Sequence, residues 1–225
     1  MNMKRKRSSF ESIYKGPKCS EDDDDESEMD FSSIMQNVMG GKKRGKIDKV
    51  DSDANHIYFY SEVNRDSAFE LINLLREVDQ ANTSLQIKIG VDPIPIYLHI
   101  MSNGGCVFSA FNVIDHIKAC KNPVYSVIEG SAASAATLIS VVCDKRYVRP
   151  SAYMLIHQIS SGWEGKMCEL EDEMKNLKEL TDTLKTFYKD NTNMTPHQLT
   201  SLLRRDLWLN AKKCIEYGLA DELMS

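Results

Sequence analysis

The stretch EGSAASAATLIS, residues 129–140, consists almost entirely of small side chains, with two serines set among alanines. It follows the strand-like run VYSVI and leads into an apolar segment with the pattern of a helix. Small residues let a helix pack closely against a sheet, and they also let a backbone approach a ligand. A serine at such a junction lies beside free backbone N–H groups and the positive end of the helix dipole. The stretch therefore predicts either tight packing or an exposed nucleophile, Ser131 or Ser134.

Strand-like and helix-like segments alternate on both sides of this stretch. The strand-like segments are continuous apolar runs, which are typical of parallel strands that are buried on both faces. We expect strands in HIYFYSEV (56–63), LQIKI (85–89), IPIYLHI (94–100), VYSVIEG (124–130), RYV (146–148) and YMLIHQI (153–159). We expect helices in DSAFELINLLREVDQ (66–80), SAFNVIDHIKAC (109–120) and AATLISVVC (135–143). The alternation predicts an α/β fold built around a mainly parallel sheet.

The sequence also predicts details of the first helix and three further helices. The helix over 66–80 is expected to open with an Asp/Ser cap and to bury Phe69, Ile72 and either Leu74 or Leu75. A long helix is expected over Glu164–Asp190, with apolar residues three or four apart along one stripe. Two short helices follow, one with Thr195 as its cap and Pro196 in its first turn, the other ended by Gly218.

Residues 1–47 differ from the rest of the chain. They contain KRKR, SEDDDDESE and GGKKRGK, with few apolar residues and no periodicity. Such a segment buries too little apolar surface to offset the entropy of ordering, so we expect a disordered extension before a domain over residues 48–225. KRKR is consistent with a nuclear-import signal or a polyanion contact, but solvated charge is the interpretation that we favour.

Composition narrows the class of protein. With 225 residues and 42% hydrophobic residues, the chain can form one domain with a core, and no apolar run approaches the ~18 residues of a membrane span. The basic start lacks the apolar region of a secretory signal. The six cysteines are scattered, which predicts reduced thiols in a cytoplasmic protein. A net charge of −5 argues against nucleic acid as a main partner. Together with the lack of a long apolar run, it leads us to expect neither nucleic acid nor membrane as a partner.

Candidates for nucleophilic chemistry stand at the ends of predicted elements. A hydroxyl nucleophile needs a base, a group that orients the base, and donors for the oxyanion. SNGG (102–105) follows a strand, His157 lies near the end of YMLIHQI, and Asp206 lies in RRDLWLNA. Each is weak alone, because a Gly-Gly turn, a structural histidine or a capping aspartate is commoner. The G-x-S-x-G motif is absent, and composition does not choose between Ser131 and Ser134.

Taken in order, four segments resemble the signature segments of ClpP, the proteolytic subunit of the ATP-dependent Clp protease (peptidase family S14). They are IYLHIMSNGG (96–105), GSAASAATLIS (130–140), YMLIHQISSGWEG (153–165) and RRDLWLNAKKCIEYGLADEL (204–223). The resemblance implies the α/β ClpP/crotonase fold, with repeated ββα units and a protruding handle helix at about residues 160–190. It implies a serine endopeptidase with Ser134 as nucleophile, His157 as base and Asp206 as orienting carboxylate. The implied oxyanion hole consists of the backbone N–H groups of Gly105 and Ala135.

The resemblance also implies partners. Seven subunits would form a homo-oligomeric ring, and two stacked rings would form a tetradecamer that degrades unfolded proteins delivered by an AAA+ Clp unfoldase. QISSGWEG (158–165) would line up the substrate. No metal or cofactor is implied, and the chain has no P-loop, so any ATP would be used by the unfoldase.

Two departures weaken the expectation of unfoldase docking. Asn103 replaces a common proline, and His99 replaces an aromatic residue of the docking strand, whereas Tyr97 is kept. The alternatives are an unfoldase-independent processing protease of viral type and a non-catalytic structural ring subunit. An acyl-CoA enzyme of the crotonase type is less favoured, because it would not need the Ser-His-Asp set.

Overall fold

This computed structural model describes residues 49–162 and 164–224. Their central element is a sheet of eight strands. The strands are β1 (Lys49–Asp53), β2 (His56–Tyr60), β3 (Ile96–Ser102), β4 (Val124–Ala133), β5 (Lys145–Val148), β6 (Tyr153–Leu155), β7 (Trp208–Asn210) and β8 (Glu222–Leu223). The sheet order is β1-β2-β3-β4-β5-β8, and β6 pairs with both β4 and β7. The β1–β2 and β6–β7 pairs are antiparallel and the others are parallel, so the predicted mainly parallel α/β sheet is confirmed.

Strand β4 belongs to two parts of this sheet. Its residues 124–128 lie between β3 and β5, whereas its last three residues pair with β6. The register between β3 and β4 shifts between Ile100 and Ser102, and Gly130 has a φ of 63° at the same level. The end of β4 is therefore the point at which β3, β4 and β6 meet.

Six helices accompany the strands in the described residues. They are α1 (Arg65–Ile89), α2 (Val107–Ala119), α3 (Ala135–Val141), α4 (Met167–Asn191), α5 (Pro196–Leu203) and α6 (Ala211–Glu216). The core is formed by strand residues such as Phe59 and Ile128 together with Leu71 and Leu75 of α1 and Leu138 of α3, all of them at most 2% exposed. Within this described part, no helix combines the length and apolar character that crossing a bilayer requires.

Helix α1 differs from its prediction at both ends. Asn64, not an Asp/Ser cap, begins it, because its side chain accepts hydrogen bonds of 2.9 Å from the N–H groups of Asp66 and Ser67. The helix then continues through LQIKI as far as Gly90, whose φ of 67° provides a left-handed C-cap. The predicted strand over 85–89 is therefore wrong.

The exposure of two apolar side chains explains this outcome. Ile87 is 81% exposed, so its segment buries no face against the sheet that a strand would need. Phe69, which was expected to face the core, is 65% exposed, and Leu71 is buried instead. Apolar residues in this helix therefore give a misleading period, because several of them face outward in the single chain.

The C-terminal elements follow the sequence more closely. Helix α4 begins at Met167 rather than Glu164 and ends at Asn191, and α5 has the predicted Thr195 cap. Strands β1, β7 and β8 were not predicted from the sequence. The expected extension over residues 1–47 lies outside the described residues.

A polar network links β2, β3, β4 and the end of β5. His56 Nδ1 lies 2.8 Å from His99 Nε2, and His99 Nδ1 lies 3.1 Å from a carboxylate oxygen of Glu129. Tyr60 donates to the other oxygen of Glu129, and Arg149 Nε donates to the first at 3.2 Å. These contacts fit a neutral His99 that donates through Nδ1 to Glu129 and accepts at Nε2 from His56.

Two groups of this network, His99 and Glu129, have pKa values below their usual ones. Burial lowers the pKa of His99 below its usual 6.5 and outweighs the attraction of Glu129. Burial alone would raise the pKa of Glu129, but hydrogen bonds from Tyr60, His99 and Arg149 outweigh it, and the pKa lies below its usual 4.5. In both cases the unfolded chain binds protons that the folded chain does not.

We predict that the free energy of unfolding falls as the pH drops below about 6.5, the ordinary pKa of the unfolded His99. The stabilisation is fully present above that pH and is lost as the pH falls toward the lower pKa of the folded state. In urea unfolding, His99→Gln should make the free energy of unfolding depend less on pH between about pH 7.5 and 5.5. The change removed is about 1.4 kcal/mol for each unit by which the folded and unfolded pKa values of His99 differ. The exposed His197→Gln should keep the slope. Identical slopes for His99→Gln and the unsubstituted protein would contradict the assignment.

Candidate active site

Ser134 occupies a strained turn between β4 and α3. Its φ of 53° and ψ of −127° lie where residues other than glycine are rarely found, which costs of the order of 1–3 kcal/mol. Three hydrogen bonds hold this conformation. The N–H of Ser134 donates to the carbonyl oxygen of Leu155 at 2.9 Å, and the carbonyl oxygen of Ser134 accepts from the N–H and Oγ1 of Thr137 at 3.0 and 2.7 Å. The turn is therefore fixed by β6 on one side and by α3 on the other.

The two candidate serines have different positions. Ser131 lies within β4, where it is paired with Tyr153 of β6. Ser134 lies beyond the last paired residue of β4 and lines a cavity. Only Ser134 therefore combines an end-of-strand position with an opening beside it.

The register of β6 and β7 brings His157 and Asp206 together. The two strands are antiparallel, with Leu155 opposite Trp208. Two residues further on, the same register places His157 opposite Asp206. In the structure, Nδ1 of His157 lies 3.8 Å from an Oδ1 of Asp206, and their side chains are 25% and 80% exposed. The pair is thus in place, but its separation is longer than a hydrogen bond.

The paired glycines at the end of β3 lie against the Ser134 turn. Gly104 has a φ of 89°, and a Cβ atom there would lie 2.5 Å from the carbonyl oxygen of Ala133 and 2.7 Å from Cβ of Ser134. Gly105 has a φ of 141°, and a Cβ atom there would collide with the carbonyl oxygen of Val63. Only residues without a side chain fit both positions. The glycines therefore let the β3 backbone come directly beside Ser134.

A cavity of about 60 Å³ opens at this meeting point. It is lined by four of the five predicted site residues, Gly105, Ser134, Ala135 and His157, and by Val107, Leu138, Gln158, Ile159, Ser160, Leu184 and Tyr188. This volume is far below the ~300–1,000 Å³ of pockets that enclose drug-sized ligands. The cavity has room for one side chain, and its apolar residues favour an apolar one. Asp206 contacts His157 from outside the lining.

The arrangement brings together the residue types that nucleophilic catalysis uses. Ser134 and His157 line one cavity, an arrangement that would allow His157 to take the proton of an attacking Ser134 hydroxyl. Ala135 is the first residue of α3, where backbone N–H groups have no partner within the helix. Gly105 lines the same cavity. Among the described residues, no three His, Cys, Asp or Glu side chains are grouped to hold a metal ion.

The structure adds residues that were not candidates. Thr137 and the carbonyl group of Leu155 hold the turn of Ser134, and Tyr188 of α4 lines the cavity. Thr137 could have been suspected, because a hydroxyl three residues after a junction serine reaches back to its carbonyl. No local signal indicates Tyr188, which comes from a distant helix. Of the segment 158–165, which was expected to line up the substrate, residues 158–162 have no regular secondary structure.

Comparisons with known proteins give a consistent result. The family model described as "Clp protease" matches residues 41–225. The ATP-dependent Clp protease proteolytic subunit 2 of Treponema denticola is 35% identical over 57% of this chain and 66% of its own length. The proteolytic subunit 2 of Pseudomonas aeruginosa is 32% identical over 62% of this chain and 71% of its own. The proteolytic subunit 1 of Chlamydia trachomatis is 28% identical over 85% of this chain and 97% of its own.

Solved structures agree with this result at the level of the fold. A point mutant of ClpP1 from Listeria monocytogenes superposes with a TM-score of 0.66 over 77% of this chain and 92% of its own length. Its sequence is 24% identical, so the likeness concerns the fold alone. The expected ClpP-type fold is thereby confirmed.

We predict that Gly104→Ala reduces the reactivity of the Ser134 hydroxyl. The added Cβ would force the backbone at Ala133 or Ser134 to move, and this would shift the hydroxyl of Ser134. Labelling of Ser134 by a fluorophosphonate, followed by mass spectrometry, should slow by at least about tenfold. Gly90→Ala is the control, since a Cβ there also stands at a positive φ, 67°, but meets nothing within 4 Å. Equal labelling rates in the two variants would contradict the contact between Gly104 and the turn.

Proposed function

Because the chain belongs to the Clp protease family, we propose that it is the serine-type endopeptidase subunit of an ATP-dependent Clp protease and cleaves unfolded polypeptides to short peptides. One observation carries the proposal for the site. Ser134, His157 and the backbone of Gly105 and Ala135 line the same cavity, at the ends of neighbouring strands. Oδ1 of Asp206 lies 3.8 Å from Nδ1 of His157.

The proposed reaction begins at the hydroxyl of Ser134. Nε2 of His157 takes its proton while the oxygen attacks the carbonyl carbon of a peptide bond. The N–H groups of Gly105 and Ala135 stabilise the oxyanion that forms, and each such donor is typically worth about 2.7–4 kcal/mol of the barrier. His157 then protonates the leaving amine. A water molecule repeats the sequence on the acyl-enzyme and releases the second peptide.

Asp206 has an orienting role in this reaction. A carboxylate at Nδ1 keeps the proton on that nitrogen, so that Nε2 is free to accept the proton of Ser134. The 3.8 Å separation and the 80% exposure of Asp206 support a further step, in which a neighbouring subunit or the substrate covers the pair. Excluding water would strengthen the attraction and shorten the distance to a hydrogen bond. Full activity is therefore expected of the assembled particle.

The cavity defines the substrate only in part. Val107, Leu138, Ile159 and Leu184 line it, so we propose that it takes an apolar side chain next to the bond that is cleaved. Gln158 and Ser160 border the same cavity, in a segment without regular structure. A substrate that pairs with this segment as an added strand would be held through its backbone. Such binding suits many different unfolded sequences.

Helix α4 supports the proposed assembly. Met167, Leu170 and Met174 are 70%, 42% and 63% exposed and lie three or four residues apart, so the single chain leaves an apolar stripe uncovered. We propose that a second copy covers it, within two stacked heptameric rings. An AAA+ Clp unfoldase would deliver substrates and use the ATP, since this chain has no P-loop. The scattered cysteines support a cytoplasmic location.

The proposed chemistry predicts the behaviour of three variants. Ser134→Ala should abolish hydrolysis of a fluorogenic peptide and labelling by a fluorophosphonate, because the nucleophile is lost. His157→Ala should lower both by about 10³-fold or more, and Asp206→Asn should lower hydrolysis by a factor of up to about 10⁴. Ser131→Ala is the matched control and should keep both within about twofold of the unsubstituted protein. Labelled Ser131, or full activity without Ser134, would refute the assignment.

The proposed assembly predicts a change in mass. Placing charges on the uncovered stripe, as in a Met167→Glu, Met174→Glu double variant, should break the particle into smaller species, because burying a carboxylate without a partner is costly. Thr183→Glu, an exposed change elsewhere on α4, should leave the mass unchanged. Analytical ultracentrifugation distinguishes these outcomes. A double variant that sediments like the unsubstituted particle would show that the stripe is not an interface.

A further inference from the structure

Two buried hydroxyl groups connect α4 to the turn that holds Ser134. The OH of Tyr188 lies 2.7 Å from Oγ1 of Thr137, and Oγ1 of Thr137 lies 2.7 Å from the carbonyl oxygen of Ser134. Thr137 is 0% exposed and Tyr188 is 2% exposed. The contact crosses 51 positions of sequence, so it joins separate parts of the fold.

The number of protons fixes the direction of this chain. The carbonyl oxygen of Ser134 can only accept, so the hydroxyl proton of Thr137 is used in donating to it. Thr137 has no second hydroxyl proton, and Tyr188 must therefore donate to Oγ1 of Thr137. Burial raises the pKa of Tyr188, so its proton stays in place at neutral pH. The result is one directed chain from Tyr188 through Thr137 to Ser134.

The hydrogen bonds from Tyr188 through Thr137 to Ser134 lie where α4 contacts the body of the protein. Leu184 and Tyr188, one turn apart, are the buried residues of α4, and both line the cavity beside Ser134. The same helix is largely exposed toward its N-terminus, where the uncovered apolar stripe lies. The helix is therefore anchored to the body at the side of the nucleophile.

We propose that Thr137 and Tyr188 are positioning residues that hold the carbonyl group of Ser134 and thereby keep its left-handed backbone and its hydroxyl in the reactive orientation. This inference rests on the proposed peptidase function. A residue at a φ of 53° tends to relax toward negative φ, and relaxation would swing the carbonyl away from Oγ1 of Thr137. The N–H of Thr137 holds the same carbonyl at 3.0 Å, so the hydroxyl chain supplies the second of two restraints.

Conservative variants of the assembled protein test the proposal. Tyr188→Phe keeps the ring and removes only the donor, and Thr137→Val removes the hydroxyl that reaches Ser134. Each should lower kcat on a fluorogenic peptide, and the rate of fluorophosphonate labelling at Ser134, by about 3- to 10-fold, with KM changed less than about twofold. Thr137→Ser restores the hydroxyl and should recover most of the rate. Because the two hydroxyls act in series, the Tyr188→Phe, Thr137→Val double variant should lose no more than Thr137→Val alone.

Tyr125→Phe is the control, since Tyr125 contacts Tyr97 and Tyr147 and lies away from the turn. It should keep the labelling rate. An unchanged kcat in Tyr188→Phe would overturn the positioning role. So would a kcat in Thr137→Ser that is as low as in Thr137→Val, while thermal unfolding and particle mass stay normal. If the unsubstituted particle does not label at Ser134, the proposed function fails and this inference fails with it. Labelling of the unsubstituted particle with equal rates in all variants would overturn the inference alone.

Discussion

The left-handed backbone of Ser134 is the constraint on which the rest of the site depends. At a φ of 53°, the chain turns sharply from β4 into α3 and leaves a hydroxyl beside the cavity. Such a turn needs small neighbours, and Ala133 and Ala135 provide them on either side. Gly104 provides a third gap, where any side chain would meet the turn itself. The alanine-rich stretch therefore serves packing and access together, because a tightly packed turn is what makes the hydroxyl accessible.

The sheet assembles the remaining groups without long connections. Strands β3, β4 and β6 are neighbours, and their C-terminal ends provide the glycine pair, Ser134 and His157. Antiparallel β7 then brings Asp206, just before its first residue, to the side of His157. Residues that are far apart in sequence meet because adjacent strands end at the same level. Parallel pairing in the core and one antiparallel pair at the edge are thus sufficient to build the site.

The parts that could be predicted from the sequence are those set by local chemistry. The alternation of strand-like and helix-like segments indicated the parallel sheet. The small-residue stretch indicated tight packing or an exposed serine at a strand-to-helix junction. Thr195 and Pro196 marked the start of α5 because capping depends on neighbouring residues. Pattern alone did not choose Ser134 over Ser131; that choice came from the family resemblance. Their difference in structure is one of register, since Ser131 pairs with β6 and Ser134 lies just beyond the pairing.

Most of the parts that could not be predicted depend on contacts between distant segments. Strand β7 has three residues, too few for a pattern, yet it places Asp206. LQIKI has the composition of a strand, but it continues α1 as far as the Gly90 cap and exposes Ile87. The bond between Tyr188 and Thr137 joins two helices whose spacing in sequence carries no signal. For β7 and for the Tyr188–Thr137 bond, tertiary structure supplements the local preference, whereas LQIKI follows the helix that precedes it.

The most direct measurement is a high-resolution crystal structure of the assembled particle after reaction with a fluorophosphonate. We expect the phosphoryl oxygen to lie about 2.7–3.1 Å from the backbone nitrogens of both Gly105 and Ala135, while Ser134 keeps its positive φ. A phosphoryl oxygen that points to solvent, or a Ser134 backbone relaxed to negative φ in the adduct, would contradict it.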